Sequence, residues 1–224
     1  SSSITVNGVS NVQIKNSILF DAAVCVWISY SSFVNVTDNN LVGAVYGGII
    51  GYASSHLSIS RNFVDNCGLM GIHLDGFSNN CTILDNMVMN NLEGLELESG
   101  SAANWIEQNI FVNNNASVVL NRCGSSNVFR RNSVANSLYG LLVVGYNLES
   151  FLQDIDSSNI VNNKSVYYLT NLHDRSISQF DCPNPGSLAI INCTNTMIED
   201  LDLYGGDGVL VAYSQGCIFT NITV

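Results

Sequence analysis

Short apolar runs alternate with polar residues along the chain. Ile72-His73-Leu74, Leu95-Glu96-Leu97, Val118-Val119-Leu120 and Leu141-Leu142-Val143 place apolar side chains two residues apart, the period of a strand with one buried face. Their β-branched and leucine content suits a pleated surface, and the Gly, Ser and Asn between them supply turns. Helical repeats need amphipathic runs of about ten residues or more, which the chain lacks, and no leucine-rich-repeat frame persists.

The polar positions repeat on a longer period. Asn62/Asn66, Asn86/Asn90, Asn109/Asn113 and Asn132/Asn136 form Asn-x-x-x-Asn pairs, with first members 24, 23 and 23 residues apart. Asn39 lies one interval upstream, and Asn159/Asn163 resumes the pairing downstream. A period in the twenties built on strands predicts a solenoid. The fold expected is all-β: a single-stranded right-handed parallel β-helix of nine to ten coils of about 23 residues, as one domain over 1–224. The eight paired Asn are expected to form hydrogen-bonded ladders between coils and left-handed corners. An irregular loop or coil break is expected around 171–187, which holds both prolines.

Alignment on the Asn pairs puts Ile50, His73, Glu96 and Val119 in one column, and Tyr52, Asp75, Glu98 and Asn121 in another two residues on. Alternation turns both away from the apolar columns, so Tyr52, His73, Asp75, Glu96 and Glu98 are expected as one outward patch. Acids at coil spacing repel, which raises a pKa or attracts a cation. Asp75, Glu96 and Glu98 offer the oxygen ligands of a Ca2+ site, and paired carboxylates beside an aromatic suit sugar binding or glycoside chemistry. The bland alternative is a solvated acidic face with His73 offsetting Glu96. No nucleophile-elbow, zinc-protease or phosphate-loop motif is present, and the reading leans away from an enzyme. His56 and His173 stand alone and read as turn or surface residues, while Met87 and Met89 without a nearby His make a weak copper site.

Composition narrows the class. Charged residues are 11% of the chain and the net charge is −11, which argues against nucleic acid as partner. No apolar run is long enough to span a membrane. Seven cysteines, Cys25, Cys67, Cys81, Cys123, Cys182, Cys193 and Cys217, lack C-x-x-C spacing. Each reads either as a small core residue or as a disulfide candidate, and an odd count leaves one for pairing between molecules. Sequons at Asn35, Asn80, Asn115, Asn163, Asn192 and Asn221 are candidate N-glycosylation sites. With low charge and many cysteines, they point to an extracellular, cell-surface protein.

The segment Pro185-Gly-Ser-Leu-Ala-Ile-Ile-Asn-Cys-Thr-Asn195, followed by Gly208-Val-Leu-Val-Ala-Tyr213, resembles the right-handed parallel β-helix repeat proteins of the NosD-like, carbohydrate-binding and sugar-hydrolase branch, common among archaeal surface proteins. The resemblance implies a fold and not a reaction. The branch includes polysaccharide-acting enzymes, a periplasmic protein linked to copper-site maturation, and cell-envelope proteins. No catalytic motif transfers onto positions here.

An open β-helix end is an unpaired edge, and neither end of this sequence carries an evident cap. Either further coils of a longer solenoid cover such ends or the chain stacks head to tail on itself, and the second is the partnership expected. The leading expectation is a structural envelope protein of sheath or surface-layer type, locked by intermolecular disulfides. The alternative is a polysaccharide-binding or polysaccharide-modifying β-helix that uses the acidic patch. No cofactor is expected, Ca2+ apart.

Overall fold

A computed structural model describes residues 3–224, and among them the only helical element is a 3-10 turn at Leu148–Phe151. The alternating runs form the strands Gly47–Tyr52, Met70–Asp75, Glu93–Glu98, Ala116–Asn121 and Tyr139–Val144. With Ile4–Asn7 and Val24–Ser29 they make a seven-stranded parallel sheet. A second sheet stacks short strands from Gln13–Lys15 to Asp154–Ile155, and a third runs from Ile18–Phe20 to Gly208–Ala212. Three strands per coil wind into a right-handed parallel β-solenoid of about ten turns.

Inward residues stack in columns because each coil repeats the same alternation. In the first sheet Val26 pairs with Ile49, Ile49 with Ile72, Ile72 with Leu95, and Leu95 with Val118. Ile59, Ile83, Ile106 and Phe129 line the second sheet, and Val64, Val88, Phe111 and Val134 the third. All eight lie in one buried cluster, where each large aliphatic contributes about 1.5–3 kcal/mol of transfer free energy.

The Asn pairs divide their work. First members Asn39, Asn62, Asn86, Asn109, Asn132 and Asn159 are buried, and each of the first five passes an Nδ2–H to the next Oδ1 at 2.9–3.0 Å, ending at Asn159. Second members Asn66, Asn90, Asn113 and Asn136 are exposed corners with φ of 52–57°. Three ladders lie outside the predicted frame, one of them through Asn91 and Asn114. Asn104, Asn127 and Gln153 form a second, and in the third Ser31, Ser54 and Ser78 each donate a backbone N–H to the next seryl Oγ at 3.1 Å.

The coil break falls earlier than expected. Asn162 and Asn163, at φ 50° and 65°, turn Ile160–Val161 back antiparallel onto Lys164–Thr170. Paired positive φ values are what a two-residue hairpin needs. Beyond it Lys164–Thr170, Pro185–Ile191 and Gly208–Ala212 stack in parallel, and side-chain contacts between coils span 21 residues rather than 23. Within 171–187 lie a short strand, Ser176–Ile177, and a turn leading into Pro185–Ile191. Every residue of that last strand is buried. Ala189 and Ile191 face the first core, while Leu188 and Ile190 face a second core with Ile198, Leu201 and Leu203. Burial on both faces explains its unbroken apolar run.

Asp207 ties the two parts together. Its carboxylate accepts the N–H groups of Gly140 and Leu141 at 2.8 Å each, covering part of the last strand edge of the first sheet. Burial pushes its pKa up against the lowering effect of those two hydrogen bonds.

All seven cysteines are free thiols, and six are buried. Among the described residues the disulfide expectation therefore gives way to the core-residue reading, with Cys217, half-buried, the most accessible thiol. Burial pushes the Cys67, Cys81 and Cys182 thiols up to about 11 and Cys123 up to about 12; it also raises Cys25 and Cys193. The sequon residues Asn35, Asn80, Asn115, Asn163 and Asn221 are exposed and Asn192 is half-buried.

Candidate functional site

The predicted columns are in register. His73 pairs with Ile50 and Glu96, Glu96 with Val119, Asp75 with Tyr52, and Glu98 with Asn121. These side chains stand on the outer face of the first sheet, because Ile72, Leu74, Leu95 and Leu97 take the inner one.

The patch is not the solvated face expected of outward acids. His73 is 7% exposed and Glu96 is 6% exposed, whereas Asp75 and Glu98 are half-buried. The His73/Glu96 column is flanked by Met70, Glu93 and Ala116 on one side and by Asp75, Glu98 and Asn121 on the other. An outward direction thus coexists with burial.

His73, Glu96 and Glu98 converge. His73 Nε2 lies 3.3 Å from Glu96 Oε2 and 3.5 Å from Glu98 Oε2. Neither contact has hydrogen-bond geometry, so the buried Nε2 has no hydrogen-bond partner. The other carboxylate oxygens are held from behind: Asn121 Nδ2 donates to Glu96 Oε1 at 3.2 Å and to Glu98 Oε1 at 3.1 Å. Arg122 Nη2 donates to Glu98 Oε1 at 2.6 Å, reaching around from the adjoining turn as its position after Asn121 suggests. Both Oε2 atoms are thereby left facing the imidazole.

Asp75 does not join this convergence. Its Oδ1 accepts the Gly76 N–H at 2.6 Å, which is the physical reason the expected Asp75/Glu96/Glu98 set becomes His73/Glu96/Glu98. The carboxyl that rises is Glu93, outside the predicted set. Burial pushes it up to about 7, with Glu96 and Glu98 adding to the rise. Its signal in the sequence is the run Glu93-Gly-Leu-Glu96-Leu-Glu98, in which Gly94 interrupts the alternation.

An aromatic rim borders the acids. Tyr30 and Tyr52 meet edge to face at 5.6 Å, and the Tyr30 hydroxyl is the leading cause raising the Tyr52 phenol, with Asp75 a lesser one. Phe77 is 71% exposed and lies over Gly100, where a Cβ would stand 2.4 Å from its ring at φ +79°. Arg122 sits 5.8 Å from the centre of the Tyr146 ring. His56, exposed and stacked on Phe33, and His173, bonded to Thr194 Oγ1, stand away from the patch as expected.

Over residues 1–165 the chain matches the family described as periplasmic copper-binding protein (NosD), and it belongs to that family. The match ends where the hairpin at Asn162-Asn163 closes. The family is a periplasmic one, and no helix of the described residues is long and apolar enough to cross a membrane. No curated protein matches in sequence. Among solved structures, a point mutant of the periplasmic alginate epimerase AlgG aligns at 15% identity and a TM-score of 0.63, covering 94% of this chain and 50% of that one. A second AlgG structure aligns at 16% identity and a TM-score of 0.52, covering 95% and 44%. The chain spans about half the length of these proteins, and the likeness is one of fold.

Copper is the group the family description implies. An imidazole nitrogen with two carboxylate oxygens suits Cu2+ or another borderline divalent ion, whereas Cu+ favours thioether and thiolate donors. The orphaned, buried Nε2 facing two carboxylate oxygens fits the divalent form. Met87 and Met89 lie on a strand of the third sheet, and six of the seven thiols are buried. His73, Glu96 and Glu98 are the residues that would hold the ion.

Proposed function

We propose that this NosD-family chain binds a polysaccharide along the outer face of its first sheet. The observation that carries this reading is the pairing of an acidic strip with an aromatic rim on one face: Glu93, Glu96 and Glu98 beside Tyr30, Tyr52 and Phe77. Carboxylates accept hydrogen bonds from sugar hydroxyls, and exposed rings offer flat apolar platforms with a polar edge. That an alginate epimerase uses the same fold supports the ligand class and says nothing of residues.

Charge selects within that class. A chain at −11 with three glutamates at the site repels a polyuronate and accommodates a neutral polymer. We assign a neutral glycan in the periplasm or at the cell surface. The sheath or surface-layer reading, with head-to-tail self-association, is less well supported, since burial of six thiols leaves Cys217 as its main crosslinking candidate.

Affinity electrophoresis through gels containing a β-glucan, starch or alginate tests the assignment. A neutral polymer should retard the chain, with Tyr52→Ala weakening binding about tenfold and Glu98→Gln weakening it further. Retardation by alginate alone, or by no polymer, refutes it.

A further inference from the structure

We propose that His73, Glu96 and Glu98 form a binding site for one borderline divalent transition-metal ion of the Zn2+ or Cu2+ type. Three independent features of the geometry point there. The donor atoms lie within 4.8 Å of one another, and the two contacts to Nε2 are 3.3 and 3.5 Å. Metal–ligand bonds of about 2.0–2.2 Å at tetrahedral angles put ligand atoms roughly 3.3–3.6 Å apart, the spacing of both contacts to Nε2.

The second feature is the orphaned nitrogen. A buried polar atom without a partner is destabilising, and native structures rarely leave one so. His73 Nε2 is buried, unpartnered and directed at two carboxylate oxygens. A metal bond satisfies it where the carboxylates, misaligned for hydrogen bonding, do not.

The third is the outer support. Asn121 and Arg122 hold the Oε1 atoms of both glutamates, which orients Oε2 toward the imidazole. Ligating carboxylates in metal sites are themselves hydrogen-bonded in this way. The nitrogen in the set also decides the ion: Ca2+ takes oxygen ligands alone, whereas imidazole with carboxylate suits Zn2+ and Cu2+. The inference is independent of whether a glycan binds, since it concerns the ion and not the polymer.

The test uses the full, tag-free chain after treatment with a chelator. Titration with Zn2+ and with Cu2+ should show one equivalent bound, with a rise in Tm of about 5–10 °C at a hundredfold excess over Kd. The Cu2+ form should show electron-spin hyperfine structure from a single nitrogen. His73→Gln and Glu96→Gln should each abolish the bound equivalent, Asn121→Ala should weaken it about tenfold or more, and the exposed control Asp156→Asn should leave it unchanged. If His73→Gln does not fold, the nitrogen count in the unmodified chain decides. No saturable equivalent, a nitrogen count other than one, or Ca2+ binding as tightly as Zn2+ overturns the proposal.

Discussion

Removing the side chain at Asn109 isolates the strength of the buried ladder. Asn109 is fully buried. Its Nδ2 donates to Ile83 O at 2.9 Å, Glu107 O at 3.0 Å and Asn132 Oδ1 at 3.0 Å. Its Oδ1 accepts from Asn86 N at 3.0 Å and Asn86 Nδ2 at 2.9 Å. In Asn109→Ala, the Asn86 amide keeps Ile59 O and Leu84 O, but the Asn86 backbone N–H loses the acceptor it has here. One orphaned buried donor costs about 1–3 kcal/mol, and weaker losses at the three acceptors add roughly 0.5–1 kcal/mol each. The expected destabilisation is about 3–5 kcal/mol, read from urea unfolding followed by far-ultraviolet circular dichroism at constant m. Its partner in the same pair, Asn113, is an exposed corner at φ 56°, so Asn113→Gly should change stability by less than about 0.5 kcal/mol. Asn109→Asp sharpens the test. The carboxylate faces three acceptors and is buried, so its folded pKa lies above its unfolded one. Stability is then greater below the unfolded value and falls as pH rises through the folded one. A cost under about 1 kcal/mol for Asn109→Ala, or equal costs at positions 109 and 113, would show that the ladder is a passive consequence of packing.

Four further outcomes follow from the same structure. Leu95, fully buried in the inward column of the first sheet, should cost about 2–5 kcal/mol as Leu95→Ala, measured by the same unfolding. A chromogenic disulfide reagent should label one thiol quickly, Cys217, and the other six only on unfolding; three or more fast thiols would contradict the burial described. Asn163→Gly should be neutral at its φ of 65°, whereas Asn163→Val should cost about 1–2 kcal/mol or more, which thermal melts can read. Asp207→Asn should flatten the pH dependence of stability. With the Asp207 pKa raised by burial, its contribution is full below the unfolded value and is lost as pH rises through the folded one; an unchanged pH profile counts against that role.

The repeat was readable because the ladder demands it. An amide that both donates to and accepts from its own image must recur once per coil, so the Asn62, Asn86, Asn109 and Asn132 spacing carries the coil length directly. Alignment on those residues then placed His73 beside Glu96 and Asp75 beside Tyr52 in the observed register. The same cue held at the break: Asn159 is the last ladder rung and Asn163 a left-handed corner, the two roles of the earlier pairs. Spacing did not tell that this last corner closes a hairpin and reverses the chain. The run Leu188-Ala-Ile-Ile191 was legible as a strand, but that its alternate residues feed two cores follows from the reversal at the hairpin.

Burial at the site was hidden for a different reason. Alternation reports which way a side chain points and not what stands beside it. His73 and Glu96 point away from the core, and the flanking columns nonetheless leave each under a tenth exposed. Placing a carboxylate there costs desolvation that a single imidazole contact without hydrogen-bond geometry does not offset. Asn121 and Arg122 compensate part of that cost for Glu98, and Asn121 a smaller part for Glu96. Burial, with Glu96 and Glu98 adding to it, pushes Glu93 up to about 7, but a proton on Glu93 leaves His73 Nε2 unsatisfied. A cation between the imidazole and the two Oε2 atoms would satisfy Nε2 and offset the desolvation of the carboxylates, which is why the site reads as a place for a ligand rather than as a core that happens to contain acids.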